Sequence, residues 1–262
     1  MNMYEAIFVR KSTRKYSMEL LEDRTLEQFE HFLGQAEALR SNIKTEFKIV
    51  TCVEQAGRTQ DSFPKGGTKA PYYLIITSEL KQDYLLNAGF LMQQAVLYLT
   101  ARGIATCYQG IASFADEITS EMEGEYVTAV AFGRPKGEVY REPQKLKRQA
   151  DEKMIVWKEE PGENLRMIMK AAVAAPSACN LQPWRFVAYE NRVHLFCRKN
   201  SMFQAVLSDI RLLDMGIMIA NLYTAAEELW LDVSFSRSEM LAEKRFQNNE
   251  YITTAVFREK IF

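Results

Sequence analysis

Ala175-Pro-Ser-Ala-Cys-Asn180-Leu-Gln-Pro-Trp184 is the stretch from which the rest of the chain can be read. It follows Asn164 to Ala174, a run that reads as a helix, and leads into Trp184 to Tyr189, which reads as a strand. Two prolines stiffen the loop and leave carbonyls without local partners. Ser177, Asn180 and Gln182 present donors and acceptors at short spacing beside an aromatic, which suits the polar edge of a flat heterocycle. A helix-to-strand turn capped by Asn would use the same residues, and their chemistry alone leaves both readings open.

Outward from this loop, Val193 to Cys197 completes a hairpin turned at Glu190-Asn191-Arg192, a long helix covers Ser208 to Leu229, and strands Asp232 to Ser236 and Tyr251 to Arg258 follow. The first part of the chain has the same order. Helices are expected at Tyr4 to Val9, Arg24 to Leu39, Leu85 to Arg102 and Ala115 to Met122. Strands are expected at Phe47 to Val53, Tyr72 to Thr77 and Val127 to Phe132, with Ile104 to Tyr108 leading into Gly110 and a charged connecting arm over Glu138 to Lys153.

The two parts can be laid over each other. Tyr126-Val-Thr-Ala-Val-Ala-Phe132 parallels Tyr251-Ile-Thr-Thr-Ala-Val-Phe257. Asn87-Ala-Gly-Phe-Leu-Met parallels Asp214-Met-Gly-Ile-Met-Ile, and Leu39-Arg-Ser-Asn-Ile-Lys parallels Ser177-Ala-Cys-Asn-Leu-Gln. The differences are informative too. Arg10-Lys11-Ser12-Thr13-Arg14 puts three cations and two hydroxyls together and suits a phosphate, whereas the matching Trp157-Lys-Glu-Glu-Pro is acidic. The Pro176-Ser177 and Gln182-Pro183-Trp184 features have no match in Arg40 to Phe47. Each half keeps one part of a site that the other has lost.

Composition narrows the classes. A 262-residue chain with 47% apolar and 26% charged residues can bury a large core. Its net charge of −1 argues against a nucleic-acid partner. The helix around Ala88 to Ala101 is interrupted by Gln93 and Gln94 and is too short and polar to span a bilayer, so no membrane is expected. The amino-terminal stretch does not read as a secretory signal, and a cytoplasmic location is expected. Cys52, Cys107, Cys179 and Cys197 form no Cys-x-x-Cys pair. With only His31 and His194, neither a histidine metal site nor a Ser-His-Asp triad is expected. Rossmann and P-loop glycine patterns are absent.

Taken with these motifs, the chain resembles the nitroreductase family of FMN enzymes, in particular its variant in which two family-like halves are fused. Arg10-Lys-Ser-Thr-Arg-Lys-Tyr16, Ala70-Pro71, Gly103-Ile-Ala-Thr-Cys-Tyr-Gln-Gly110, Phe132-Gly-Arg-Pro135 and Ala175 to Phe186 match the family's patterns. The resemblance implies an α+β fold of two similar α/β halves, residues 1–155 and 156–262, packed as an intramolecular pseudodimer that acts as a monomer. It implies one FMN, with hydride passing from NADH or NADPH to a small-molecule acceptor such as a nitroaromatic or quinone-like compound. Arg10, Lys11 and Ser12 belong to the segment for the phosphate and ribityl chain, with Arg148 as a second phosphate contact. Arg14 is expected near the N1/O2 edge, backbone groups of Gln109 and Gly110 near N5, and Pro176, Ser177, Ala178 and Asn180 against the ring. Lys65 or Lys69 is a further candidate for the pyrimidine edge, and Phe63, Tyr108, Phe114 and Met202 for the walls. No side chain is expected to be catalytic, because flavin N5 carries the chemistry. Ile111 departs from the family's pattern beyond Gly110. A flavin-binding protein for storage or sensing, and a scaffold whose flavin site has decayed, are the other readings open to these residues.

Overall fold

Tyr72–Ser78 is a strand with every residue buried, as its nearly unbroken apolar run requires. It is the second strand, β2, in a computed structural model that describes residues 1–52, 63–110, 113–114, 116–199 and 204–260. The chain divides into two compact units, Met1–Leu146 and Lys147–Phe262. No helix among the described residues is long and apolar enough to cross a membrane.

In the first unit, α1 (Met3–Val9) and α2 (Asp23–Gln35) precede β1 (Thr45–Thr51) and β2. Then come α3 (Tyr84–Ala101), β3 (Ala105–Tyr108), α4 (Asp116–Ser120) and β4 (Glu125–Gly133). The sheet order is β1-β2-β4-β3, antiparallel throughout. Asn2 caps α1 in a reciprocal box with Glu5. The helix expected to reach Leu39 ends at Gln35, and Ala36 turns to extended backbone. Buried from Leu86 to Thr100, α3 packs on all sides. Its two glutamines are satisfied there: Gln94 Nε2 donates to Glu37 O at 2.9 Å, and Gln93 Oε1 accepts from Tyr108 OH at 3.0 Å.

The second unit begins with a short strand not expected from sequence, β5 (Ile155–Trp157), too brief to show a period. It continues through α5 (Glu163–Val173), the hairpin β6 (Trp184–Ala188) and β7 (Arg192–Arg198), and α6 (Gln204–Glu228). β8 (Leu231–Ser236), α7 (Glu239–Glu243), also unexpected, and β9 (Asn249–Glu259) complete it. The order is β5-β6-β7-β9-β8, with β5 parallel to β6 and the other pairs antiparallel. Mixed α/β units with one sheet each agree with the α+β expectation.

Apart from β5, the second sheet repeats the first: β6-β7-β9-β8 matches β1-β2-β4-β3. Both central pairs break register at the same place. β2 passes from Ile76↔Thr128 to Thr77↔Tyr126, skipping Val127, and β7 passes from Leu195↔Thr253 to Phe196↔Tyr251, skipping Ile252. These bulged residues coincide when Tyr126 is laid on Tyr251. A bulge is a local feature with no reason to recur by chance at one aligned position.

Two of the short motifs meet in the first unit. Gly133 has φ +151°, and a Cβ there would lie 2.6 Å from Pro71 Cγ. Gly133→Ala is therefore expected to destabilise the protein by about 2 kcal/mol or more, through backbone strain and the clash with a rigid ring. Thermal or urea unfolding checks this; an unchanged midpoint would show that the Pro71 ring can give way.

Candidate functional site

The basic segment leaves α1 at Arg10, whose N–H caps the helix on Ala6 O at 3.0 Å. It then runs along β3. Ser12 and Thr106 form a parallel bridge, Thr13 N–H donates to Thr106 O at 3.0 Å, and Tyr16 bridges Pro135. This course buries Arg10, Thr13 and Tyr16 and leaves Ser12 and Arg14 exposed, with Lys11 half-buried. Tyr16 OH donates to Ala131 O at 3.1 Å, and burial raises its pKa.

Arg10 is the unusual member. Its side chain is 5% exposed, and Nη1 has no hydrogen-bond partner among the described residues. Arg141 lies close enough to repel it, and Arg141 Nε is likewise buried without a partner. Arg141 is held by its own N–H on Val9 O at 2.7 Å and by Nη2 on Phe8 O at 3.1 Å. Desolvation is the largest influence on the Arg10 guanidinium and brings its pKa down to about 10; Tyr108 raises it and Arg141 lowers it further. It remains a cation at neutral pH. Unpaired buried charge is costly, so the pair of guanidiniums is suited to an anion.

Beyond β3, Gln109 is buried. Its N–H donates to Ala129 O at 2.9 Å, its Nε2 to Cys107 O at 2.8 Å, and its Oε1 accepts from Thr68 N at 2.8 Å. Its backbone N–H is thus committed to β4. Gly110 is exposed, and a Cβ there would meet nothing within 4 Å. Lys65 and Ser113 exchange backbone hydrogen bonds at 2.9 and 3.0 Å, while Lys69 Nζ stands over the Phe63 ring at 5.6 Å. Phe114 belongs to the core, and Phe63 packs against it. Ile111 and Met202 lie outside the described residues. No metal-binding group of His, Cys, Asp or Glu occurs among the described residues.

In the second unit the loop after α5 is braced by its own side chains. Cys179, Asn180 and Gln182 all have positive φ, of 48°, 55° and 51°. Ser177 Oγ accepts from Gln182 N at 2.9 Å. Gln182 Oε1 accepts from Gln149 N at 2.8 Å, and its Nε2 donates to Asn180 O at 3.0 Å. Asn180 Oδ1 accepts from Arg148 Nη1 at 3.0 Å, and Arg148 also donates to Val173 O at 3.0 Å and Ala174 O at 2.8 Å. Arg148, expected at a phosphate, is tied to the end of α5 and to Asn180. Trp184, read as a neighbour of the heterocycle, is fully buried in β6. Pro176, Ser177 and Ala178 are half-buried, while Cys179 and Asn180 are exposed. Three left-handed residues in four mark stored strain of the kind found at binding sites.

Asp214, on α6, supports this loop. Both carboxyl oxygens accept from Ala178 N at 3.1 Å. Burial pushes the Asp214 carboxyl up to about 8, against a smaller lowering by that hydrogen bond. In the first unit Asn87 Oδ1 accepts from Arg40 N at 2.9 Å, with Asn87 and Arg40 in the matching positions of the repeat.

A family model described as "Putative TM nitroreductase" matches residues 2–226. The chain belongs to this nitroreductase family. Among solved structures it is similar to a "putative nitroreductase" from Thermotoga maritima MSB8, at 20% identity and TM-score 0.65, over 98% of this chain and 94% of that one. That likeness is one of fold. A nitroreductase family protein from Clostridium difficile 630 overlays 59% of this chain and 97% of its own, at 17% identity and TM-score 0.46. No curated protein matches the chain.

For this nitroreductase-family chain, sequence reasoning missed Arg141, Thr106 and Asp214 as site-forming residues. Arg141 sits in a charged stretch that reads as a connecting arm. Asp214 was visible as the counterpart of Asn87, but its role needs the fold.

Proposed function

We propose that this chain is an FMN-dependent oxidoreductase that passes hydride from NADH or NADPH to a small-molecule acceptor. The observation that carries the reading is the buried Arg10 guanidinium, whose Nη1 lacks a partner among the described residues, beside the equally unsatisfied Arg141 Nε. A phosphate monoester fits this donor set, because Arg offers a fork of charge-assisted donors. Arg10, Lys11 and Ser12 would hold the phosphate end, and Arg14 would set positive charge near the N1/O2 edge, where it stabilises the reduced anion. Gly110 offers an unobstructed backbone approach, and Gln109 supports it through its bonds to β4 and Thr68. Pro176, Ser177, Ala178 and Asn180 would give the ring a preformed surface, with Arg148 fixing Asn180. FMN, when bound, supplies the hydride and electron transfer; the chain's residues bind, orient and tune it.

The asymmetric losses between the halves favour one FMN per chain in an internal pseudodimer: the basic segment survives in one half and the Pro-Ser loop in the other. The shared sheet order and bulge support two family-like halves. The test is the visible spectrum of protein loaded with FMN and freed of excess. The expected result is a retained flavin band at one FMN per chain, bleached by NADH or NADPH without oxygen. Two per chain would overturn the single-site arrangement, and a colourless protein the cofactor. A flavin that neither nicotinamide reduces would point to storage or sensing.

A further inference from the structure

We propose that the outer edge of β1 and the groove beside it are a docking site for an extended peptide segment of basic-apolar-basic character, which adds to the sheet parallel to β1. The first sheet ends at β1, which among the described residues pairs only with β2. The second sheet carries one strand more, and that strand shows what such an edge takes.

The registers make the comparison residue by residue. Ile49 pairs with Leu74, which pairs with Val130; Ala188 pairs with Val193, which pairs with Ala255. Val130 and Ala255 coincide in the repeat, so Ile49 corresponds to Ala188 and Phe47 to Phe186. In the second unit Phe186 N–H donates to Met154 O at 2.8 Å, and Ala188 O accepts from Lys158 N–H at 2.8 Å. β5 thus covers the edge, with Met154 and Ile155 buried at 1% and 5% exposure. The corresponding Phe47 N–H and Ile49 C=O point away from β2 along the open edge, because alternate residues of a strand bond to opposite sides.

Beside that edge lies a groove of about 530 Å³, lined by Leu33, Gly34, Ala36, Phe47, Ile49 and Leu91 among others. Its apolar lining is on offer to the side chain that would match Ile155. Glu30, exposed on α2, also lines it and puts a carboxylate on the rim. The strand that fills the corresponding edge, Lys153-Met-Ile-Val-Trp-Lys158, has apolar residues between two lysines. A segment of this chemistry satisfies the free backbone groups, fills the groove and complements its charge, as strand addition to an exposed edge does elsewhere. The proposal is independent of the flavin.

The probe is a fluorescein-labelled Lys-Met-Ile-Val-Trp-Lys peptide, titrated with the full chain and followed by anisotropy. Saturable binding in the micromolar range is expected, weakened several-fold by Glu30→Lys and at least tenfold by Gly34→Phe. A Cβ on Gly34 meets nothing within 4 Å, so Gly34→Ala should bind as wild type, while the phenyl group occupies the groove. Circular dichroism and thermal unfolding report that the variants are folded. Absence of saturable binding overturns the proposal. Equal binding by wild type and Gly34→Phe also overturns it, since the peptide would then be exchanging with β5. If the peptide fails but the chain dimerises in sedimentation, and Gly34→Phe restores the monomer, the edge belongs to a second copy instead.

Discussion

Arg10→Met is expected to weaken FMN binding sharply while leaving the apoprotein at least as stable as wild type. The two effects have opposite signs because the guanidinium is buried with an unpaired Nη1 beside a second cation. Without an anion its burial costs free energy, and an apolar side chain of similar length removes that cost, by about 1 kcal/mol or more. With a phosphate present it makes charge-assisted hydrogen bonds of about 1.5–3 kcal/mol each. Loss of one such bond weakens binding by roughly 10- to 100-fold. The backbone cap on Ala6 does not involve the side chain and persists. Equilibrium dialysis with FMN and thermal unfolding of the apoprotein measure the two quantities. A lower melting temperature with unchanged FMN affinity would make Arg10 a structural residue and remove the main support for the phosphate site.

Asp214 variants are expected to separate with pH. Asp214→Ala leaves Ala178 N–H without its acceptor and should cost about 1–3 kcal/mol. It should also loosen the 177–182 loop, so that FMN affinity falls at least several-fold even at a temperature where the protein is folded. Asp214→Asn keeps an acceptor, as Asn87 does for Arg40 N–H in the first unit. The wild-type carboxyl is raised by burial from 3.8 to about 8, so the folded protein holds this proton more tightly than the unfolded chain. Its contribution to stability is full below about pH 4 and is lost as pH rises to about 8. Relative to wild type, Asp214→Asn should therefore gain up to about 1.4 kcal/mol per pH unit across that window and level off above it. Denaturant titrations of the three proteins from pH 4.5 to 9 test this. A difference that stays constant with pH would mean that Asp214 is ionised in the fold.

Much of the architecture was legible because it rests on local pattern. The apolar run at Tyr72, the long apolar helix stopped by Gly103 at φ +78°, and the Glu190-Asn191-Arg192 hairpin are encoded within windows of a few residues. The order of weak internal matches carried the repeat, and the bulges at Val127 and Ile252 agree with it. Two short elements, β5 and α7, were not legible: β5 is too short for periodicity, and its parallel pairing depends on β6, far along the chain.

Family membership was also readable from the motifs, because short runs such as Arg10 to Tyr16 and Ala175 to Phe186 are dense in residues chosen for backbone shape and polarity. What those residues do was decided by the fold. Three-dimensional packing buried Arg10 and set Arg141 beside it, tied Arg148 to Asn180, and turned Gln109 inward to Ala129. It also placed Asp214 under Ala178 and desolvated its carboxyl. Hydrogen-bond partnership and burial are properties of neighbours brought together from distant parts of the chain. A sequence carries the side-chain chemistry; the tertiary structure determines which donors are already satisfied and which remain for a ligand.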